Sequence, residues 1–197
     1  YKGFLDNFIE VDKNGNVAVK DDYMDDIYLG SVFPKYNLAW RNDFNYKGIN
    51  LGVLFTARIG GICYSATQAN MDLYGVSEAS AAARDAGGVM INGRDMIDAQ
   101  KWYQVIGSQS GLPQYYTYSA TNVRLQELSL GYTLPSKWFR DKMRMTVSFV
   151  GRNLWMIYCK APFDPEAVAS TGMNYQGIDY FMMPSMRNLG FNVKFQF

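Results

Sequence analysis

Apolar and polar positions alternate strictly in RNLGFNVKFQF, residues 187–197: Leu189, Phe191, Val193, Phe195 and Phe197 share one parity, Gly190, Asn192, Lys194 and Gln196 the other. A period of two is the signature of an extended strand with one greasy and one wet face. Four earlier segments read the same way. Around 35–47, Tyr36, Leu38, Trp40, Phe44 and Tyr46 oppose Lys35, Asn37, Arg41, Asp43 and Asn45. After a tight turn at Lys47-Gly48, residues 49–59 set Ile49, Leu51, Val53, Phe55, Ala57 and Ile59 against Asn50, Gly52, Thr56 and Arg58, with Leu54 as the exception. Over 121–134, Val123 and Leu125 give way to Leu128, Leu130, Tyr132 and Leu134. That one-residue slip at Gln126-Glu127 predicts a β-bulge. Residues 143–155 alternate Met143, Met145, Val147 and Phe149 with Arg144, Thr146 and Ser148, and the last strand covers 186–197.

The connections alternate in length. Those around Gly48 and over 135–142 are short; those over 60–116 and 157–184 are long. Strands of about ten residues, trimmed at one end and elaborated at the other, suit an outer-membrane barrel. A soluble β-sandwich alternates its faces as well. Two features bear on the choice. Trp40, Tyr46, Tyr132, Trp138, Trp155 and Tyr158 fall at or near strand ends, where amphipathic rings settle at a lipid–water boundary. Arg41, Asp43, Arg58, Arg124, Glu127, Arg144, Arg152 and Lys194 place charge on the polar faces, as a wet lumen or bulk water would accept. The long connections predict two short helices, one capped by Ser77 and stopped by Gly87, the other ending at Gly107. They are expected to be loop decorations rather than a second domain. VDKNGNVAVKDD predicts a hairpin turning at Asn14-Gly15.

Composition narrows the chemistry. Nineteen Lys and Arg against eighteen Asp and Glu leave no basic field for nucleic acid. Histidine is absent, which removes Ser-His-Asp and Cys-His catalysis and His-ligated zinc. The run of 18 apolar residues that a transmembrane helix needs is missing. Cys63 and Cys159, with a whole strand expected between them, read as two unpaired thiols. Lacking an initiator Met or a signal stretch, the chain is expected to be the tail of a longer protein. Asp12, Asn14 and Asn16 have the spacing of a calcium loop, and Asp21, Asp22, Asp25 and Asp26 follow, but Val17 stands where an EF-hand wants glycine. Trp102, Tyr103, Tyr115 and Tyr116 cluster in the long loop as candidates either for ligand or partner contact or for packing of the loop on itself. Asp164 and Glu166 of FDPE form no acid–base pair at a readable separation. With no nucleophile–base pair, phosphate loop or metal-ligand set, and no cofactor implied, the chain reads as a non-enzyme.

VRLQELSLGYTLPSKW, VSFVGRNLWMI, FDPE and the terminal MPSMRNLGFNVKFQF together resemble the last strands of SusC/RagA-type TonB-dependent transporters. FPKYNLAWRNDFNYKGINLGVLF is similar to an earlier strand pair of that barrel, and ARDAGGVMINGRD with KWYQVIG to one of its outer loops. The resemblance implies an all-β fold, antiparallel strands forming the last five or so of about 22 in a transmembrane barrel. Long extracellular loops would carry the short helices. It implies an importer of oligosaccharides or peptides in the outer membrane of a Gram-negative bacterium. Implied partners are a SusD-like surface lipoprotein, outer-membrane lipid, the barrel-assembly machinery and, through a part outside this chain, TonB. Phe191, Val193, Phe195 and Phe197 would then face lipid and form the assembly signal. The long-loop aromatics would be available to the lipoprotein or the ligand. The rival reading from the residues alone is a secreted glycan-binding β-sandwich accessory module. A closed structural barrel with no transport role is a third.

Overall fold

The computed structural model describes residues 8–20, 28–91, 95–109, 111–140, 142–167, 172 and 175–196. Asp21, Asp22, Asp25, Asp26 and Phe197, named above, lie outside the described residues. The chain divides into two compact units. One comprises 1–31, 62–118 and 168–182; the other comprises 32–61, 119–167 and 183–197. The first gathers the stretches read as connections, the second those read as long strands.

In chain order the elements are β1 (Ile9–Val11), β2 (Val17–Val19), β3 (Tyr36–Tyr46), β4 (Ile49–Ile59), β5 (Ile62–Ser65), α1 (Ala66–Leu73), α2 (Glu78–Asp85), β6 (Val89–Ile91), β7 (Asp95–Ile97), α3 (Ala99–Ile106), β8 (Thr117–Ser119), β9 (Asn122–Thr133), β10 (Arg144–Cys159), β11 (Ile178–Asp179) and β12 (Asn188–Gln196).

The strand unit is a five-stranded sheet in the order β12-β10-β9-β4-β3, antiparallel at every pairing. Its register aligns the apolar parities into rows. Tyr46, Ile49, Tyr132, Val147 and Val193 form one row, and Phe44, Leu51, Leu130, Phe149 and Phe191 the next. The Phe149 and Phe191 rings meet edge to face at 5.4 Å. The opposite face aligns Arg41, Leu54, Glu127, Arg152 and Asn188. There the Glu127 carboxylate receives Arg152 at 3.0 Å and, reaching across Leu54, Arg41 at 3.6 Å. Leu54, the exception in the pattern, thus lies in a row of charged and polar residues.

The bulge falls where the phase slips. Leu54 opposes Glu127 and Phe55 opposes Leu125, which leaves Gln126 without a partner on β4. The β10 register shifts at the same height, between Arg152 and Trp155, and Asn153 there adopts φ of 51°. β10 runs four residues past the expected end at Trp155, to Cys159. Two glycines of the polar face lie beneath polar side chains that approach their Cα closely. A Cβ on Gly52 would meet Ser129 Oγ at 2.5 Å and Asp43 Oδ1 at 2.9 Å; one on Gly131 would meet Ser148 Oγ at 2.6 Å.

The connection unit is more than loop decoration, because it has its own core. Ile9, Val17, Ala69, Ile91, Ile97, Ala99, Trp102, Tyr103, Ile106, Leu112 and Tyr116 are buried together. β1 and β2 form the expected hairpin, with Gly15 at φ of 73°. Ser77 caps α2 by accepting from Ser80 N, and Asp98 caps α3, which ends at Gly107. α1 was not foreseen. It starts at Ser65, whose hydroxyl accepts from Gln68 N and donates to Asp179 Oδ2 at 2.8 Å. The β11–β5 pairing beside it is parallel and lies in stretches read as connections, where no strand is expected; the long strands are antiparallel as expected.

Candidate functional site

Three of the loop aromatics are interior. Trp102 and Tyr103 on α3 are 5% and 6% exposed, and Tyr116, in a short 3-10 turn, is 0% exposed. Tyr115 is half-buried and meets Tyr116 edge to face at 5.2 Å. Burial pushes the Tyr103 hydroxyl up to about 12 and raises Tyr115 and Tyr116 as well. The structure therefore brings the four together as packing of the connection unit.

Beneath them lies a group the sequence reading missed. Asp72, on α1, is buried, and its carboxylate accepts from Ser77 Oγ and, at 3.0 Å, from Tyr116 OH. One side chain thus joins α1, the cap of α2 and the 3-10 turn. Burial raises its pKa above the ordinary carboxylate value, against the pull of the two hydroxyls. A carboxyl that holds its proton more tightly folded than unfolded stabilises the fold at low pH, and that contribution is lost as pH rises through the raised value. Asp72→Asn is expected to remove this pH dependence, which begins at the ordinary carboxylate value of 3.8 and runs upward from it. Asp72→Leu, which strands two buried hydroxyls, should cost about 1–3 kcal/mol. Hydrogen exchange at the amides of α1 and α2 measures both.

The calcium-spaced residues are engaged with one another. Asp12 Oδ1 accepts from Asn14 N at 2.8 Å and Asn16 N at 2.7 Å, and Oδ2 accepts from Asn16 Nδ2 at 2.7 Å. Those bonds, Asn16 foremost, lower the Asp12 pKa. Lys101 Nζ donates to Asn16 Oδ1 at 3.0 Å, so the loop faces an ammonium. Among the described residues no cluster of three or more His, Cys, Asp or Glu is placed to hold a metal ion. Cys63 and Cys159 are both thiols.

In the strand unit a buried polar cluster surrounds Arg124, whose side chain is 3% exposed. It contacts Asp164 Oδ1 at 2.9 Å and Glu166 Oε2 at 3.3 Å, and donates to Asn153 Oδ1 at 3.3 Å. Ser185 Oγ donates to the other Asp164 oxygen. Burial alone would raise the Asp164 pKa, but the Ser185 and Arg124 hydrogen bonds outweigh it and hold the carboxyl below its ordinary value. FDPE is thus a clasp on the polar face rather than an acid–base pair. A mid-strand arginine with two acids beyond the next strand was the available signal. Phe191, Val193 and Phe195 lie exposed on one parity of β12.

No family model matches the chain. It is similar to TonB-dependent receptor P3 of Formosa agariphila, with 25% identity over 198 residues, covering 95% of this chain and 19% of that protein. Its fold is similar to part of the RagAB peptide importer. The TM-score is 0.59 in the open-open state, with 18% identity over 90% of this chain and 19% of that one. In the closed-closed state it is 0.56, with 19% identity over 94% and 20%. The chain spans about a fifth of the length of these relatives. The resemblance to SusC/RagA-type TonB-dependent transporters is therefore shared by a receptor sequence and an importer fold.

Proposed function

From this kinship with TonB-dependent receptors, we propose that the chain supplies five strands of an outer-membrane barrel wall, with outer loops and an assembly signal. The whole would be a Gram-negative importer of oligosaccharides or peptides, driven through TonB and capped by a SusD-like lipoprotein. It is a conduit rather than an enzyme.

The observation that carries this reading is the two-faced sheet. Apolar rows cross all five strands, and the outermost members stand exposed: Tyr36, Leu38, Trp40, Phe44 and Tyr46 on β3, and Leu189, Phe191, Val193 and Phe195 on β12. A β-sandwich would seal such a face against a second sheet; hydrocarbon accepts it open. β12 and β3 also have no further strand partner among the described residues, as expected of strands taken from a larger closed wall. On this reading Phe191, Val193, Phe195 and the undescribed Phe197 carry the assembly signal. Trp102, Tyr103, Tyr115 and Tyr116 serve the lipoprotein and ligand indirectly, by stiffening the outer connections.

The test is topology on intact cells. In the full-length transporter lacking the Cys159 thiol, Ala82→Cys on α2 is expected to react with a membrane-impermeant maleimide. Lys137→Cys, in the short β9–β10 turn, should react only after the cells are opened. Labelling of both from outside would refute the orientation.

A further inference from the structure

The two short turns lie at one end of the sheet, joined by Thr133 N donating to Gly48 O at 2.7 Å. They carry Lys47, Lys137, Arg140 and Lys142 against a single acid, Asp141, which is outside the described residues. The remaining sequence has fifteen cations and seventeen acids, so positive charge is concentrated at this rim. All four cations are exposed, and none makes an ion pair among the described residues.

Aromatic rings accompany them. Trp138 is 71% exposed between Lys137 and Arg140. Lys47 Nζ lies 5.2 Å over the ring of Tyr46, whose row is apolar, so this charge sits toward the apolar side of the rim. An indole or phenol at the boundary, with an ammonium or guanidinium beside it, matches the zone where acyl chains give way to headgroup phosphates.

We propose that this rim is a docking surface for anionic phospholipid headgroups, held by Lys47, Lys137, Arg140 and Lys142 around Tyr46 and Trp138. The proposal rests on the barrel reading, since only an inserted sheet brings the rim to a headgroup layer. Each basic side chain near an anionic membrane surface contributes enough attraction to change binding about fivefold.

The experiment uses the full-length transporter in nanodiscs of phosphatidylcholine with about one third phosphatidylglycerol, enough anionic lipid to give the surface a negative potential. Retained lipid is read by native mass spectrometry. The expected result is preferential retention of phosphatidylglycerol, reduced at least tenfold in Lys137→Gln/Arg140→Gln/Lys142→Gln and weakened by salt. Lys47→Gln alone, less disruptive to folding, should show a smaller loss of the same sign. A correctly inserted protein that retains both lipids equally would overturn the proposal and leave the barrel standing. In a second nanodisc preparation holding equal amounts of lipid A and phosphatidylglycerol, preferential retention of lipid A by the same residues would overturn it too. Failure of the wild type to insert would sink the barrel reading, and the proposal with it.

Discussion

On the proposed barrel reading, Leu128→Arg is expected to destabilise the full-length protein by about 2–4 kcal/mol, the cost of a cation near the middle of the hydrocarbon on a barrel's outer face. Leu128 lies midway along the central strand, in the row of Val53, Gly151 and Leu189, two rows in from Tyr132. Val193→Arg should cost less. Its row contains Tyr46 and Tyr132, which belong near the interface, where the penalty falls to about 0–1 kcal/mol. Asn192→Arg, adjacent on β12 but on the wet parity, should be similarly mild. Guanidinium unfolding in lipid vesicles ranks the three. Equal penalties at Leu128 and Asn192 would show that the two faces had been assigned to the wrong solvents.

The second large effect concerns the clasp. Arg124→Ala leaves Asp164, whose side chain is 9% exposed, as a buried charge without its partner. Removing one member of such a pair typically costs about 3–5 kcal/mol. Arg124→Lys should recover only part, because an ammonium lacks the planar fork that engages Asp164 and Asn153 together. The local consequence is release of the segment around 164–166, read as new protease cleavage there. Acid should mimic it. With a depressed pKa, Asp164 contributes stability above the unfolded carboxylate value near 3.8, and loses it as pH falls through the folded value. Wild-type susceptibility at low pH and Arg124→Ala susceptibility at neutral pH should therefore map to the same bonds.

The long strands were legible because a two-sided environment imprints a period of two. Even the fault was visible: the slip at Gln126 in the pattern is the same residue that lacks a partner on β4. Legibility faded where burial was polar. α1 escaped because its buried residues are Ala69 and Asp72, and a hydrophobicity pattern gives a small methyl little weight and assigns a carboxylate to solvent. β5 and β11 escaped because they form a two-residue parallel pairing, Ile178 with Tyr64 and Asp179 with Ser65, across more than a hundred residues. The tail of β10 was missed because Trp155, Ile157 and Tyr158 are all apolar and exposed, and a second register shift between Met156 and Tyr158 breaks the alternation there. The loop aromatics were recognised as a group. Whether such rings face inward depends on contacts that no local spacing encodes.

The bareness of Gly52 and Gly131 has a consequence for the lining of the polar face. Ser129, Asp43 and Ser148 occupy the space a β-carbon would need at these positions, and both glycines are buried beneath them. On the importer reading a passing solute would therefore meet hydroxyls and a carboxylate there rather than naked peptide. An alanine at either site would push those groups aside and so alter the chemistry of the wall more than its width.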